Sequence, residues 1–227
     1  MFLLWISAAA MVILAYLIGS VSSSIIISKL IGTDIRQHGS GNAGATNMLR
    51  TYGKKIGILT LICDALKGIA AILLAMLWAH IICIYFPQFA DEPIVGTVRY
   101  ICAVAVVLGH NYPIFFQFKG GKGIATSGAV IFMLDWRIGI AVLAGALLFM
   151  VLTRYISLGS IVGAIVFPTA SCIFTFFIDR DYNIALIVTS VIMGALAIYR
   201  HHANIARLFN GTESKIGSKK ENDKKQS

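Results

Sequence analysis

Charge is what this chain has least of: 13% of its 227 residues are Asp, Glu, Lys or Arg, against 58% hydrophobic, and its mean hydropathy is +0.82. So little charge excludes an ordinary water-soluble core and places the chain in the membrane class. Cysteine is also sparse. Cys63, Cys83, Cys102 and Cys172 all fall inside apolar stretches, with no CxxC pair and no His/Cys set at zinc spacing, so they read as small buried residues. The first residues, Met1-Phe2-Leu3-Leu4-Trp5, lack a positive n-region, which predicts a retained transmembrane helix in place of a cleaved signal. Two catalytic signatures are missing as well. No GxxxxGK[ST] phosphate loop occurs, and Ser40 is not in a GxSxG elbow.

What the chain does have is a succession of apolar runs along nearly its whole length. Runs near 20 residues match a hydrocarbon core about 30 Å thick. Seven candidates appear, at 5–29, 57–86, 97–116, 124–135, 138–153, 159–178 and 183–199, the fourth short for a crossing. The expectation is an all-α polytopic bundle of seven transmembrane helices, as one domain over 1–208, with a basic, disordered cytoplasmic tail over 209–227.

The formal charge of +9 follows the loops. With seven spans, Lys29, Arg36, Arg50, Lys54, Lys55, Lys119, Lys122, Arg154 and the basic tail share one side, and Arg99, Arg137 and Arg180 share the other. The positive-inside rule then puts the N-terminus outside and the C-terminus in the cytoplasm. That distribution also gives the positive charge a topological role and removes the case for nucleic acid as a partner. Asp64 and Lys67 are neighbours on one helix face, and read either as a structural ion pair or as support for a site.

Three cytoplasmic loops and the exit from the last span hold the polar chemistry. The first reads Gly39-Ser40-Gly41-Asn42-Ala43-Gly44-Ala45-Thr46-Asn47-Met48-Leu49-Arg50. It satisfies GxGxxG formally, but a membrane span precedes it where a dinucleotide fold needs a βαβ unit. Its composition suits an anion: glycines bring the backbone close, Ser40, Asn42, Thr46 and Asn47 donate, and Arg50 offers a charged fork. The second runs from Gly109-His110-Asn111-Tyr112-Pro113 to Lys119-Gly120-Gly121-Lys122-Gly123-Ile124-Ala125-Thr126. There, pliable backbone, a lysine and a helix N-terminus are set to meet a phosphate. His110 reads as a structural interfacial histidine. The third, around Ser157-Leu158-Gly159-Ser160, is less specific and also suits close helix packing. The exit reads Arg200-His201-His202-Ala203-Asn204, with His201 and Asn204 on one helix face.

Together GSGNAGATNMLR, GHNYPIFFQFKGGKGIAT, SLGS and RHHANIARL resemble the bacterial acyl-phosphate:glycerol-3-phosphate acyltransferase family, in the family's order, from about residue 16 to 208. The resemblance implies transfer of an acyl chain from acyl phosphate to the sn-1 hydroxyl of glycerol 3-phosphate, giving lysophosphatidic acid and phosphate, at the cytoplasmic face of a bacterial inner membrane. It implies no metal and no coenzyme. The enzyme that makes acyl phosphate is a conceivable partner, and membrane lipid surrounds the protein. The implied catalytic positions are Ser40, Arg50, Lys122, His201 and Asn204. Asn42 and the glycines of the second loop also match the family's functional positions, and the wider substrate-binding set is Gly41, Asn42, Gly44, Thr46, Asn47, Lys119, Gly120, Gly121, Gly123, Thr126 and Ser157. Glycerolipid acyltransferases of the other large class use HxxxxD, and no histidine here has an aspartate five positions later. An anion or phospholipid transporter with cytoplasmic phosphate loops is the alternative from another class, though the polar residues gather at one membrane face and do not run through its depth.

Overall fold

The computed structural model describes residues 1–217, and among these every regular element is helical. The last part of the expected tail, 218–227, lies outside the described residues. Helix α1 (Phe2–Ser20) breaks at Val21-Ser22 and continues as α2 (Ser23–Leu30). The first polar loop leads into α3 (Ala45–Tyr52), and Gly53 joins it to the long α4 (Lys54–Tyr85). Helix α5 (Pro93–Asn111) returns to the loop end, and after the glycine loop come α6 (Ile124–Leu134) and α7 (Trp136–Thr153). Helix α8 (Ile156–Cys172) runs on through a π-helical turn at Ile173–Asp179, and α9 (Ile184–Arg200) bends by 56° into α10 (His202–Phe209).

Five helical stretches are long and apolar enough to cross a membrane, or six if the bent pair α9 and α10 counts as one span. The expected fourth span falls short of that test. At 11 residues, α6 rises only about 16 Å, roughly half a hydrocarbon core. It turns back at Asp135, whose carboxylate caps α7 by accepting from the Arg137 amide at 2.9 Å. The Arg137 guanidinium also reaches Asp179 at 2.6 Å, clasping this hairpin to the far end of α8. By contrast, α4 is 32 residues long, about 48 Å, and extends well past a single crossing.

Small residues set how the helices meet, as they must where lipid removes any hydrophobic drive between apolar faces. On α1 and α5, Gly19 lies against the Val106 carbonyl and Gly109 against the Tyr16 carbonyl, so closely that a Cβ at either would collide with backbone. On α8, Gly159 lies against the Ala146 carbonyl of α7 in the same way. The main core is built between α1, α4, α5, α8 and α9, around Val98, Val106, Ile72 and Phe167. A second, smaller cluster of Ile25, Ile35, Ala43 and Met48 pins the first polar loop onto the bundle. Leu59, Leu66, Leu73 and Leu77 on α4 face outward, as lipid contact requires.

Candidate active site

The first loop is held by its own side chains. Asn47 donates to the carbonyls of His38 (2.9 Å) and Ile35 (3.3 Å) and accepts from the Ser40 amide (3.0 Å). These hydrogen bonds make Asn47 a brace of the loop, at a position that also lines the site's cavity. Arg36 pairs with Asp34 at 2.6 Å and donates to the Phe116 carbonyl at 3.1 Å, tying the first loop to the second.

The second loop is clamped from both sides. Arg200 donates to the carbonyls of Gly120 (3.2 Å) and Gly121 (2.8 Å), and its guanidinium lies 5.0 Å from the Tyr112 ring centre. Beneath, His110 packs so tightly under Gly121 that a Cβ there would strike the imidazole. Gly123 adopts φ 78°, a left-handed conformation that glycine reaches without strain. His110 sits 3.6 Å from Asp64, which pairs with Lys67 at 3.1 Å and accepts from Ser23 at 2.6 Å. Thr126, an expected substrate contact, instead donates to the Asp64 carbonyl at 2.9 Å and is wholly buried.

Above this floor the loops surround one end of a cavity of about 500 Å3. Ser40, Asn42, Gly44, Thr46, Arg50, Lys122, Gly123, Ser157, His201 and Asn204 all line it. Three helices, α3, α6 and α8, begin at this wall without a side-chain cap. Apart from the Asn47 amide, which donates to the Gly44 carbonyl at 3.0 Å, their first-turn amides and their dipoles favour an anion. Gly41, Lys119 and Gly120 lie apart from it, in a second hollow with Asp34, Arg36 and Arg200. Among the described residues no group of three or more His, Cys, Asp or Glu side chains is placed to hold a metal.

The electrostatics are those of a half-dry site. Burial pushes the Lys122 ammonium down to about 8, partly offset by Glu213 and reinforced by Arg207, Arg200 and Arg50. Burial, followed by the nearby Lys122 charge, pushes His201 down to about 4. Its Nδ1 is 2.7 Å from the Ala197 carbonyl. A carbonyl only accepts, so Nδ1 carries the proton and Nε2 is left as an acceptor. Lys122 also donates to the Asn204 amide oxygen.

Glu213 falls in the tail over 209–227 that was expected to be disordered, but the first part of that tail folds back onto the site. The chain turns back after α10, and the Glu213 carboxylate accepts from Ser157 (2.8 Å), Asn204 (2.7 Å) and Arg207 (2.7 Å). Burial raises its pKa, but these donors outweigh burial and hold it below the ordinary value. Glu213 is one of three acids in that basic tail, with Glu221 and Asp223, and carried no distinguishing sequence signal. Asp64 and Arg200 also belong to the site's support, the first legible as half of an ion pair, the second masked as a topological charge.

Away from the loops the same cavity becomes an apolar groove between α6, α7, α8 and α9, bounded by Ile131, Val142, Ala146, Ala164, Phe167 and Met193. A cationic end opening into a groove of this kind suits an amphiphile with an anionic head and an alkyl tail. Comparison with known proteins agrees. The model of the family "Glycerol-3-phosphate acyltransferase" matches residues 9–211. The chain belongs to the glycerol-3-phosphate acyltransferase family. The glycerol-3-phosphate acyltransferase of Clostridioides difficile (strain 630) is 42% identical over 210 residues, covering 92% of this chain and 95% of that one. The enzyme of that name from Paraburkholderia phymatum is 46% identical over 209 residues, covering 92% of each. Crystal structures of PlsY (YgiH), an integral membrane glycerol 3-phosphate acyltransferase, superpose on this acyltransferase at 38% identity, covering 93% of this chain and 96% of theirs. The glycerol 3-phosphate form gives a TM-score of 0.76 and the lysophosphatidic acid form 0.73. This acyltransferase is therefore a multi-pass, all-α membrane enzyme, and the transporter alternative gives way.

Proposed function

We propose that the enzyme transfers a fatty acyl group from acyl phosphate to the sn-1 hydroxyl of glycerol 3-phosphate, releasing lysophosphatidic acid and inorganic phosphate. The observation that carries this reading is the single cavity joining Lys122, Arg50 and three uncapped helix N-termini to an alkyl-sized groove. Similar proteins support the acceptor and product, since the PlsY structures are described as glycerol 3-phosphate and lysophosphatidic acid forms.

In this mechanism Lys122 holds the glycerol 3-phosphate phosphate together with the amide proton that Asn204 does not give to Glu213, while Ser157, whose hydroxyl donates to Glu213, lines the pocket beside them. Arg50, Ser40 and the amides at the start of α3 hold the acyl phosphate head. The acceptor hydroxyl oxygen attacks the acyl carbon, the bond from that carbon to the phosphate oxygen breaks, and orientation with charge neutralisation lowers the barrier. At a pKa of about 4, His201 is too weak a base to strip a hydroxyl. Its Nε2 orients the hydroxyl by accepting a hydrogen bond, and the departing phosphate takes the proton. The chain makes seven passes, with α6 as a shortened one, and the loops face the cytoplasm of a bacterial inner membrane. The enzyme that makes acyl phosphate is the natural partner for delivering so labile a donor.

The test is purified protein in lipid with labelled glycerol 3-phosphate and, in parallel, acyl phosphate, acyl-CoA and an acyl carrier protein thioester. Lysophosphatidic acid and phosphate in equal amounts from acyl phosphate alone are expected, and product from a thioester alone would overturn the donor assignment. His201→Gln, which keeps a polar side chain, is expected to retain substantial activity. Its near-total loss at unchanged affinity for both substrates would make His201 the base.

A further inference from the structure

Helix α6 presents Ile124, Gly128 and Phe132 at four-residue intervals to the groove, so they follow one another from the polar end inward. The middle position is open: a Cβ at Gly128 would meet nothing within 4 Å. The third is shut. A Cβ on Gly139 of α7 would meet the Phe132 ring at 2.7 Å, which places that ring flat on the α7 backbone just before the hairpin turn. Phe167 and Met193, each 2% exposed, line the same end, and Gly194 brings α9 to within van der Waals contact of the Ala164 carbonyl of α8. Beyond them Ile138, Ala170 and Leu186 are packed in the core. Toward the bundle interior the groove therefore ends here, while along its outer flank Phe132 (38%), Leu143 (47%) and Leu147 (46%) stay exposed.

We propose that Phe132, seated on Gly139 at this inner end, sets the longest acyl chain the enzyme accepts in extended form, and that Gly128 keeps the path to it open. This rests on the acyl transfer proposed above. From Met150 to Gly139 on α7, and from Ser157 to Phe167 on α8, the groove follows about 15–17 Å of helix. An extended covalent chain advances roughly 1.2 Å per bond. The groove therefore holds about 12–14 carbons before the chain meets the Phe132 ring. The shortness of α6 fixes this depth, because its turn at Asp135 delivers Phe132 to the groove's end.

Two substitutions of opposite sign test the ruler in full-length enzyme, with acyl phosphates of ten, fourteen and eighteen carbons and kcat/KM for each. Phe132→Ala deepens the groove and is expected to raise the eighteen-to-fourteen carbon ratio by about tenfold, given roughly fourfold for each methylene newly buried. Gly128→Leu fills the open step and is expected to lower the fourteen-to-ten carbon ratio by about tenfold. The new leucine replaces a helix-interior glycine, so folding is favoured, and the KM for glycerol 3-phosphate should not move in either variant. If Phe132→Ala proves unstable, Phe132→Leu takes its place. Folded, active variants that keep the wild-type chain-length profile overturn the ruler. A wild-type enzyme that makes lysophosphatidic acid from a thioester but from no acyl phosphate overturns the donor reading instead, and the same ratios measured with that thioester then decide the ruler.

Discussion

Lys122 shows how one side chain's surroundings become a measurable property of the enzyme. An ammonium pushed down to about 8 by burial is charged below that pH and neutral above it. Since kcat/KM reports the free enzyme, its pH profile is expected to fall above about 8. Glu213 faces Lys122 and opposes the shift, while Arg50, Arg200 and Arg207 face it and add to the shift. In Lys122→Arg the guanidinium stays charged at every accessible pH, so whatever activity that variant retains should lose the alkaline limb. A limb unchanged in Lys122→Arg would assign the titration elsewhere. The residue types at this site could be read from the sequence because phosphate chemistry needs lysine, arginine, glycine and amide groups close together. Which of them face the cavity could not. Thr126 has the same hydroxyl as Ser40 but lies off the cavity and donates to α4, whereas Asn47 stands at the cavity wall and donates within its own loop.

At the scale of the helices, close approach governs stability more than burial of large side chains does. Gly19 and Gly109 let α1 and α5 touch backbone to backbone, and bulk there forces the pair apart. Gly109→Val is expected to destabilise by about 1–3 kcal/mol or more, as overpacking does, visible as a lower unfolding temperature in detergent. Gly96, also on α5 but with nothing near a Cβ, serves as the control and should tolerate alanine. A Gly109→Val protein as stable as wild type would mean that the α1–α5 contact is looser than described. The apolar runs located these helices in the sequence, since lipid exposure demands length and hydropathy. The shortness of α6 was already legible in the short run at 124–135, but the break of α1 at Val21-Ser22 was hidden, because a run of apolar residues has the same composition whether or not it continues as one helix.

Across the whole molecule, charge and site point the same way. Arg50, Lys122, Arg154, Arg200 and Arg207 gather at the loop end, and the Arg137 clasp with Asp135 and Asp179 marks the other. Single cysteines introduced into a variant free of native cysteine check the proposed orientation by labelling in intact cells. A cysteine at Gln88 is expected to react with an impermeant maleimide, and one at Gln117 only after permeabilisation. The reverse pattern would invert the assignment. Membrane residence, the all-helical class, the loop composition that suits a phosphate and the family resemblance were determined by sequence alone, because each depends on residue type and local spacing. Glu213 folding back onto Ser157 and Asn204, Arg200 clamping the glycine loop, and Phe132 seated on Gly139 at the groove were decided only by tertiary structure. Each joins residues far apart in the chain or separated by a turn, and only the packed bundle brings them within reach.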